Sequence, residues 1–300
     1  KFWNDNRLIP IKRSESSVDK MLNRMREVPA FYWVEKVVVA LVSGYIPTNG
    51  KNSKFDLGPI NTTISGNPVE GLRLRVGGMT TAKLNKNLFA RGYVAYGFGD
   101  KKLKYKAELE YSFNDKKYHS LEFPVHSIKV SHSYDVDQIG QRYMFTNADN
   151  VFLTLKRQRN DRMTYLRSSN LQYTLETKSG FSISGGLNFN TREATMWLPF
   201  VDRMGKVYNS YDEAIFNVTL RYAPGEKFYQ TKNNRIPINL DAPIFALTQT
   251  YAPKGFLGSR NTINKTEFSA QKRFWFSAFG YTDIILKAGK VWSEVDYPDL

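Results

Sequence analysis

With 43 Lys and Arg against 28 Asp and Glu, the 300-residue chain carries a formal net charge of +15 and has room for one or two ordinary domains or a single large all-β unit. Aromatics reach 14% while mean hydropathy stays at −0.47, a combination that suits a sheet with one wet and one greasy face better than a compact soluble core. The absence of Cys excludes disulfides and thiolate zinc sites, and the longest apolar run, residues 37–42, excludes a transmembrane helix but not membrane-spanning strands, which need only about 9–11 residues.

The chain opens on Lys1-Phe2-Trp3-Asn4 without a signal-peptide pattern, so it reads as a processed chain or a piece of a longer one. Residues 17–28 predict a short amphipathic helix. Ser16 or Ser17 caps it, Val18, Met21, Leu22 and Met25 share one face, and Pro29 is expected to stop it. The stretch 31–45 fits a helix or a buried strand, and Gly44 and Pro47 end it either way. Residues 1–50 are therefore taken as an N-terminal helical, periplasmic connecting segment, and residues 51–300 as the main β portion.

From Phe55 onward the chain alternates apolar and polar residues in segments bounded by turn residues. The clearest is 104–113: Tyr105, Ala107, Leu109, Tyr111 and Phe113 share one face, and Lys104, Lys106, Glu108, Glu110 and Ser112 the other. In 72–80, Leu72, Leu74 and Val76 oppose Arg73 and Arg75; in 181–189, Phe181, Ile183, Leu187 and Phe189 oppose Ser182, Ser184 and Asn188. Further strands are expected at 55–64, 88–98, 119–130, 162–177, 214–222, 244–251, 266–276 and 281–292, several joined by tight turns such as Gly99-Asp100 and Asn114-Asp115. A β-sandwich gives the same alternation, but its strands run to about five or six residues. Ten residues at about 3.3 Å each, tilted by about 45°, instead span the apolar band of a membrane. The fold expected is an all-β, antiparallel, up-and-down transmembrane β-barrel, partial, with about eleven or twelve strands and a short N-terminal helix. Its lumen-facing charged residues are Arg73, Arg75, Lys104, Lys106, Glu108 and Glu110, paired across neighbouring strands; its lipid-facing residues are Leu72, Leu74, Val76, Tyr105, Leu109, Tyr111 and Phe113.

Other chemistry is weakly encoded. His119, His126 and His132 are spaced irregularly along one strand and its end, which suits half-exposed strand residues better than metal ligands. Asp135-Val136-Asp137 lacks the Gly and distal Glu of a calcium loop and reads as a polar turn at a strand end. Gly180-Phe181-Ser182-Ile183-Ser184 misses the second Gly of a nucleophile elbow and sits in a strand. A lipid hydrolase in an outer membrane needs a Ser–His pair on the lipid face, and none is evident in the sequence. Gly97-Phe98-Gly99 ends a hairpin, and Gly185-Gly186 relieves crowding or bends a strand. No metal or cofactor is expected, and no enzymatic activity. A pI of 9.7 suggests nucleic acid, but Lys and Arg are scattered, with Lys156-Arg157-Gln158-Arg159 the sharpest cluster. A basic lumen, or rims facing anionic headgroups, accounts for the same charge.

A family resemblance runs through several segments in order: Val69-Glu70-Gly71-Leu72-Arg73-Leu74-Arg75-Val76-Gly77-Gly78, Gly92-Tyr93-Val94-Ala95-Tyr96-Gly97-Phe98-Gly99-Asp100-Lys101, Tyr134-Asp135-Val136-Asp137, Arg221-Tyr222-Ala223-Pro224-Gly225-Glu226, Arg235-Ile236-Pro237-Ile238-Asn239, and Gln271-Lys272-Arg273-Phe274-Trp275-Phe276 leading to Gly280-Tyr281. Together they resemble the Bacteroidetes family DUF5686, whose members are described as carboxypeptidase-regulatory-like and pair an immunoglobulin-like domain with a barrel similar to the surface-antigen superfamily of outer-membrane assembly proteins. The resemblance implies the outer membrane of a Gram-negative cell. Its implied partners are outer-membrane lipid, including lipopolysaccharide, and other outer-membrane or periplasmic assembly proteins, with no nucleic acid. The implied function is non-enzymatic help with outer-membrane protein assembly, translocation or surface display; a passive pore or transporter is the first alternative and a soluble basic nucleic-acid-binding β-protein the second. The regulatory domain is missing from this chain, and the superfamily's Arg-Gly-aromatic loop motif has only Lys254-Gly255-Phe256 in its place.

Overall fold

The computed structural model describes residues 20–21, 24–25, 27–31, 34, 44–49, 52–139, 162–201, 205–230 and 235–294. Contacts divide the chain into two units, Lys1–Gly44 and Tyr45–Leu300. In the first, Lys20, Met21, Arg24, Met25 and Glu27 are helical, Val28 is a bend, and residues 29–31 are helical again. Pro29 therefore does not end the helical path, because a proline in a first turn forfeits no intrahelical bond. Ser16, Ser17, Val18 and Leu22 lie outside the described residues, as does most of 31–45, and the basic run at 156–159 does too.

The second unit is all-β. Its strands are β1 (Ile46–Pro47), β2 (Phe55–Leu57), β3 (Ile64–Asn67), β4 (Gly71–Thr80), β5 (Leu88–Gly97), β6 (Leu103–Ser112), β7 (His126–Gln138), β8 (Met163–Glu176), β9 (Phe181–Glu193), β10 (Phe200–Val201), β11 (Val207–Tyr208), β12 (Ser210–Tyr222), β13 (Phe228–Gln230), β14 (Arg235–Pro237), β15 (Ile244–Ala252), β16 (Ile263–Trp275) and β17 (Tyr281–Val291). One 13-stranded antiparallel sheet runs β1-β2-β4-β5-β6-β7-β8-β9-β12-β15-β16-β17, with β3 also paired to β4. The long strands follow one another in chain order, which is an up-and-down meander. β10–β11 and β13–β14 are separate two-stranded ribbons.

Period-two alternation builds this sheet, and the register carries it from strand to strand. Arg75 pairs with Ala95 and Ala95 with Lys104, and two residues along β6 Lys106 pairs with Ser133, so the polar parities of β4, β5, β6 and β7 fall on one face. The distribution is inverted relative to a soluble sandwich. Arg73 and Lys104 are fully buried at 0% exposure, whereas Val76 is 70% and Leu109 51% exposed. The polar face is concave. β4 and β7 lie three strand spacings apart, about 14 Å in a flat sheet, yet Arg73 Nη1 sits 2.5 Å from Asp135 Oδ1.

Four expectations are corrected here. The strand expected at 55–64 is broken into β2, a 3-10 turn at Ile60–Thr62 and β3; Pro59 between them has no N–H to give to a ladder. β2 and β3 nonetheless pair with the two ends of β4 and together flank it. The strand expected from 119 starts only at His126, and the expected tight turn at Asn114-Asp115 is part of a longer loop, 113–125. Asp135-Val136-Asp137 is not a turn but the continuation of β7. Among the described residues the two margins of the sheet, at β1–β3 and at β17, are not hydrogen-bonded to each other, so these strands form an open sheet, consistent with a partial barrel. No described helix is long and apolar enough to cross a membrane, which says nothing about strands.

Candidate functional site

The concave face is organised around buried charge. Between β3 and β4, the Asn67 side-chain oxygen accepts from the N–H groups of Val69 (3.0 Å) and Glu70 (2.9 Å), and Gly71 follows at φ 62°, so the turn aims the Glu70 carboxylate inward. Asn67 Nδ2 also donates to that carboxylate. Between β5 and β6, Asp100 Oδ1 accepts from the N–H of Lys102 at 3.2 Å, which orients a second carboxylate the same way. Two cations bridge these acids. Lys104 Nζ lies 2.9 Å from Glu70 Oε1 and 2.5 Å from Asp100 Oδ2; Arg73 reaches Glu70 Oε2 at 3.0 Å and grips both oxygens of Asp135 at 2.5 and 2.9 Å. The Tyr93 hydroxyl donates to Asp135, and the Arg75 guanidinium stacks over the Tyr93 ring at 3.5 Å. Charges this deeply buried persist only because each is paired and hydrogen-bonded.

Farther round, the lining becomes neutral. Arg192 bonds Asp137 at 2.8 Å, and beyond it hydroxyls and amides take over: Ser168 to Asn190 (2.7 Å), Asn170 to Asn188, Asn188 to Asn217 (3.0 Å) and Gln172 to Ser184 (2.9 Å). Gly186 sits within this row because a Cβ there would crowd the Asn217 amide.

Two segments fold against one end of the face. In the loop 113–125, buried Lys116 donates to the carbonyls of Glu122 (2.6 Å) and Pro124 (2.8 Å), while the Glu122 carboxylate accepts from the N–H groups of Lys117 (2.7 Å) and Tyr118 (2.5 Å). Burial pulls the Lys116 ammonium below its ordinary value, against the opposing pull of Glu122. His119 is buried beside Met79, with its Nε2 3.0 Å from the sulfur and its Nδ1 accepting from the N–H of Leu121 at 3.2 Å. Burial, reinforced by Arg91, pushes its pKa down to about 4. The β13–β14 ribbon is latched by Arg235, which donates to Glu176 at 2.8 Å and stacks on Phe228 at 3.6 Å. A cavity of about 640 Å³ lies between these segments and the sheet, lined by Arg91, Glu110, Lys129, Gln172, Glu176 and Arg235 among others.

A family model matches the chain over residues 39–196 and 199–299: the C-terminal domain of DUF5686, a family of unknown function. The chain belongs to the DUF5686 family. Among curated proteins nothing matches it.

In this DUF5686 domain the residues singled out from sequence fall on two faces by register. Arg73, Arg75, Lys104, Lys106, Glu108 and Glu110 share the concave face; Leu72, Leu74, Val76, Tyr105, Leu109 and Tyr111 share the other, with Phe113 exposed just past the end of β6. The charges are not paired mainly among themselves. Lys106 and Arg91 approach Glu108 at 3.3 and 3.4 Å, and Glu110 accepts from Ser127 at 2.8 Å, but Arg73 and Lys104 rely on Glu70, Asp100 and Asp135. Those three acids were missed because two lie in turns and the third lay in a presumed turn; extending the period-two pattern through β7 would have put Asp135 and Asp137 on the polar face. The three histidines do not share a strand: His119 belongs to the loop, His126 and His132 to β7. A Ser–His pair, absent from the sequence reading, does exist on the convex face. His132 Nδ1 lies 2.8 Å from Ser169 Oγ, and its Nε2 lies 3.1 Å from the Tyr105 hydroxyl.

Proposed function

We propose that this DUF5686 domain is part of the wall of an outer-membrane β-barrel, with its concave charged and amide-lined face toward a lumen and its convex face toward lipid. The inverted burial carries the reading: buried Arg73 and Lys104 on one side of the sheet, and Val76, Leu109 and Leu286 exposed on the other at 70%, 51% and 63%. Water has no reason to keep so much apolar surface exposed, whereas acyl chains do. Supporting it, the outward apolar residues of β6 run from Leu103 to Tyr111, about 27 Å along the strand and about 19–22 Å across a membrane at a tilt of about 35–45°, which covers most of the roughly 25 Å apolar band of such barrels.

The lumen's part is non-enzymatic: assembly, translocation or surface display of other outer-membrane proteins, with lipid, lipopolysaccharide and assembly partners as its contacts. The resemblance to Bacteroidetes proteins with surface-antigen-like barrels supports this over a passive pore. So do the 113–125 loop and the Arg235-latched ribbon, which obstruct one end of the concave face. Flotation of the full-length protein with vesicles after alkaline carbonate and urea washing tests the membrane reading. Co-flotation supports it; recovery in the washed aqueous fraction overturns it.

A further inference from the structure

One polar trio interrupts the convex face of β6, β7 and β8. Ala107, His132 and Ser169 form one row across the three strands; Tyr105 lies diagonally next to it. Its neighbours on the same face include Leu109, Val130 and Leu171, all exposed and apolar. Two positions from Ser169 on that face is Arg167, 3.5 Å from Glu193. Along β8 the apolar Leu171 gives way, past Ser169, to the charged Arg167, while on β6 the outward apolar residues continue beyond Tyr105 to Leu103.

Its geometry is that of a nucleophile, a base and an orienting group. With Nε2–H donating to the Tyr105 oxygen at 3.1 Å, Nδ1 is left to accept the Ser169 proton at 2.8 Å. Beside His132 runs a groove of about 580 Å³, lined by Phe55, Gly78, Ala90, Gly92, Ala107 and Leu109 among others. Its floor is bare: a Cβ at Gly78 would strike the Phe55 ring, and one at Gly92 the Lys106 carbonyl. The volume lies within the roughly 300–1,000 Å³ usual for small-molecule sites, and the lining suits an acyl chain.

We propose that Ser169, with His132 as its base, is a nucleophile for the acyl ester of a membrane lipid whose chain lies in this groove. Ser169 Oγ bonds to the ester carbonyl carbon as its proton passes to His132 Nδ1; the carbonyl–alkoxy bond breaks and the leaving oxygen takes that proton. Water then adds to the acyl-serine, giving up a proton through His132 to Ser169 Oγ, and the fatty acid leaves. The inference rests on the membrane reading, since only lipid brings such an ester to this face, and is independent of what the lumen does.

The test uses full-length protein in phosphatidylethanolamine–phosphatidylglycerol vesicles and a long-chain alkyl fluorophosphonate. The expected result is a covalent adduct mapped to Ser169, abolished in Ser169→Ala, slowed roughly 100-fold or more in His132→Gln, and only partly slowed in Tyr105→Phe. Floated, folded wild type that stays unlabelled overturns the proposal, as does labelling that His132→Gln leaves unchanged. Should His132→Gln fail to fold, His132→Asn takes its place. Failure to float sinks the membrane reading itself and is thereby told apart from failure of the serine.

Discussion

Arg73 and His119 show how single side chains hold the concave face together. Arg73 joins Glu70 on the β3–β4 turn to Asp135 on β7, so Arg73→Ala leaves buried Glu70 and half-buried Asp135 short of a cation, at a cost of about 3 kcal/mol. A urea midpoint in detergent is expected to fall accordingly; a midpoint that Arg73→Ala leaves unchanged would contradict the network. At His119 the folded pKa, about 4, lies below the unfolded value of about 6.5. The neutral ring is therefore favoured in the fold. Its contribution is complete above about pH 6.5 and drains away as pH falls toward 4, a loss on the order of 3 kcal/mol. Protonation would also take Nδ1 away from the Leu121 N–H. Limited proteolysis of the 113–125 loop should become faster near pH 5 than at pH 7.5, and His119→Leu should flatten that dependence; a loop equally resistant at both pH values refutes the assignment.

Strands and loops differ in how much of them the sequence discloses. The alternation in β6 and in β8 reads directly, because each position's character is set by the face it occupies, and the observed limits of Leu103–Ser112 and Met163–Glu176 lie within a residue of those expected. The broken β2–β3 edge and the 113–125 loop did not read, because neither follows a period of two: Pro59 interrupts the edge, Lys116 is held by carbonyls of its own loop, and His119 is held by Met79 on β4, distant in sequence. The cation of each central ion pair was legible, but not the Glu70 and Asp100 carboxylates it meets, which sit in turns where period two does not apply. The Ser169–His132 pair was hidden for a related reason: its partners are adjacent only once β7 and β8 are in register. At the level of elements, Arg235→Ala should free the β13–β14 ribbon from Glu176 and raise single-channel conductance of the reconstituted protein. Unchanged conductance would mean the ribbon does not obstruct the lumen.

Taken as a whole, the sheet makes physical sense only with a solvent that differs between its two sides. Water suits the side where Arg73, Lys104, Glu108 and the Asn188–Asn217 amides cluster; hydrocarbon suits the side where Leu74, Val94, Leu109, Val218 and Leu286 lie exposed. In hydrocarbon an unpaired backbone N–H or C=O costs several kcal/mol, so the margins at β3 and β17 have to find hydrogen-bonding partners in the membrane. The most direct measurement is quenching of a small fluorophore, placed in turn at Val76, Leu109, Lys106 and Glu110, by lipids brominated along their acyl chains. Strong quenching at 76 and 109 with little at 106 and 110 is predicted; equal quenching at all four, or none at 76 and 109, would contradict a lipid-facing convex side.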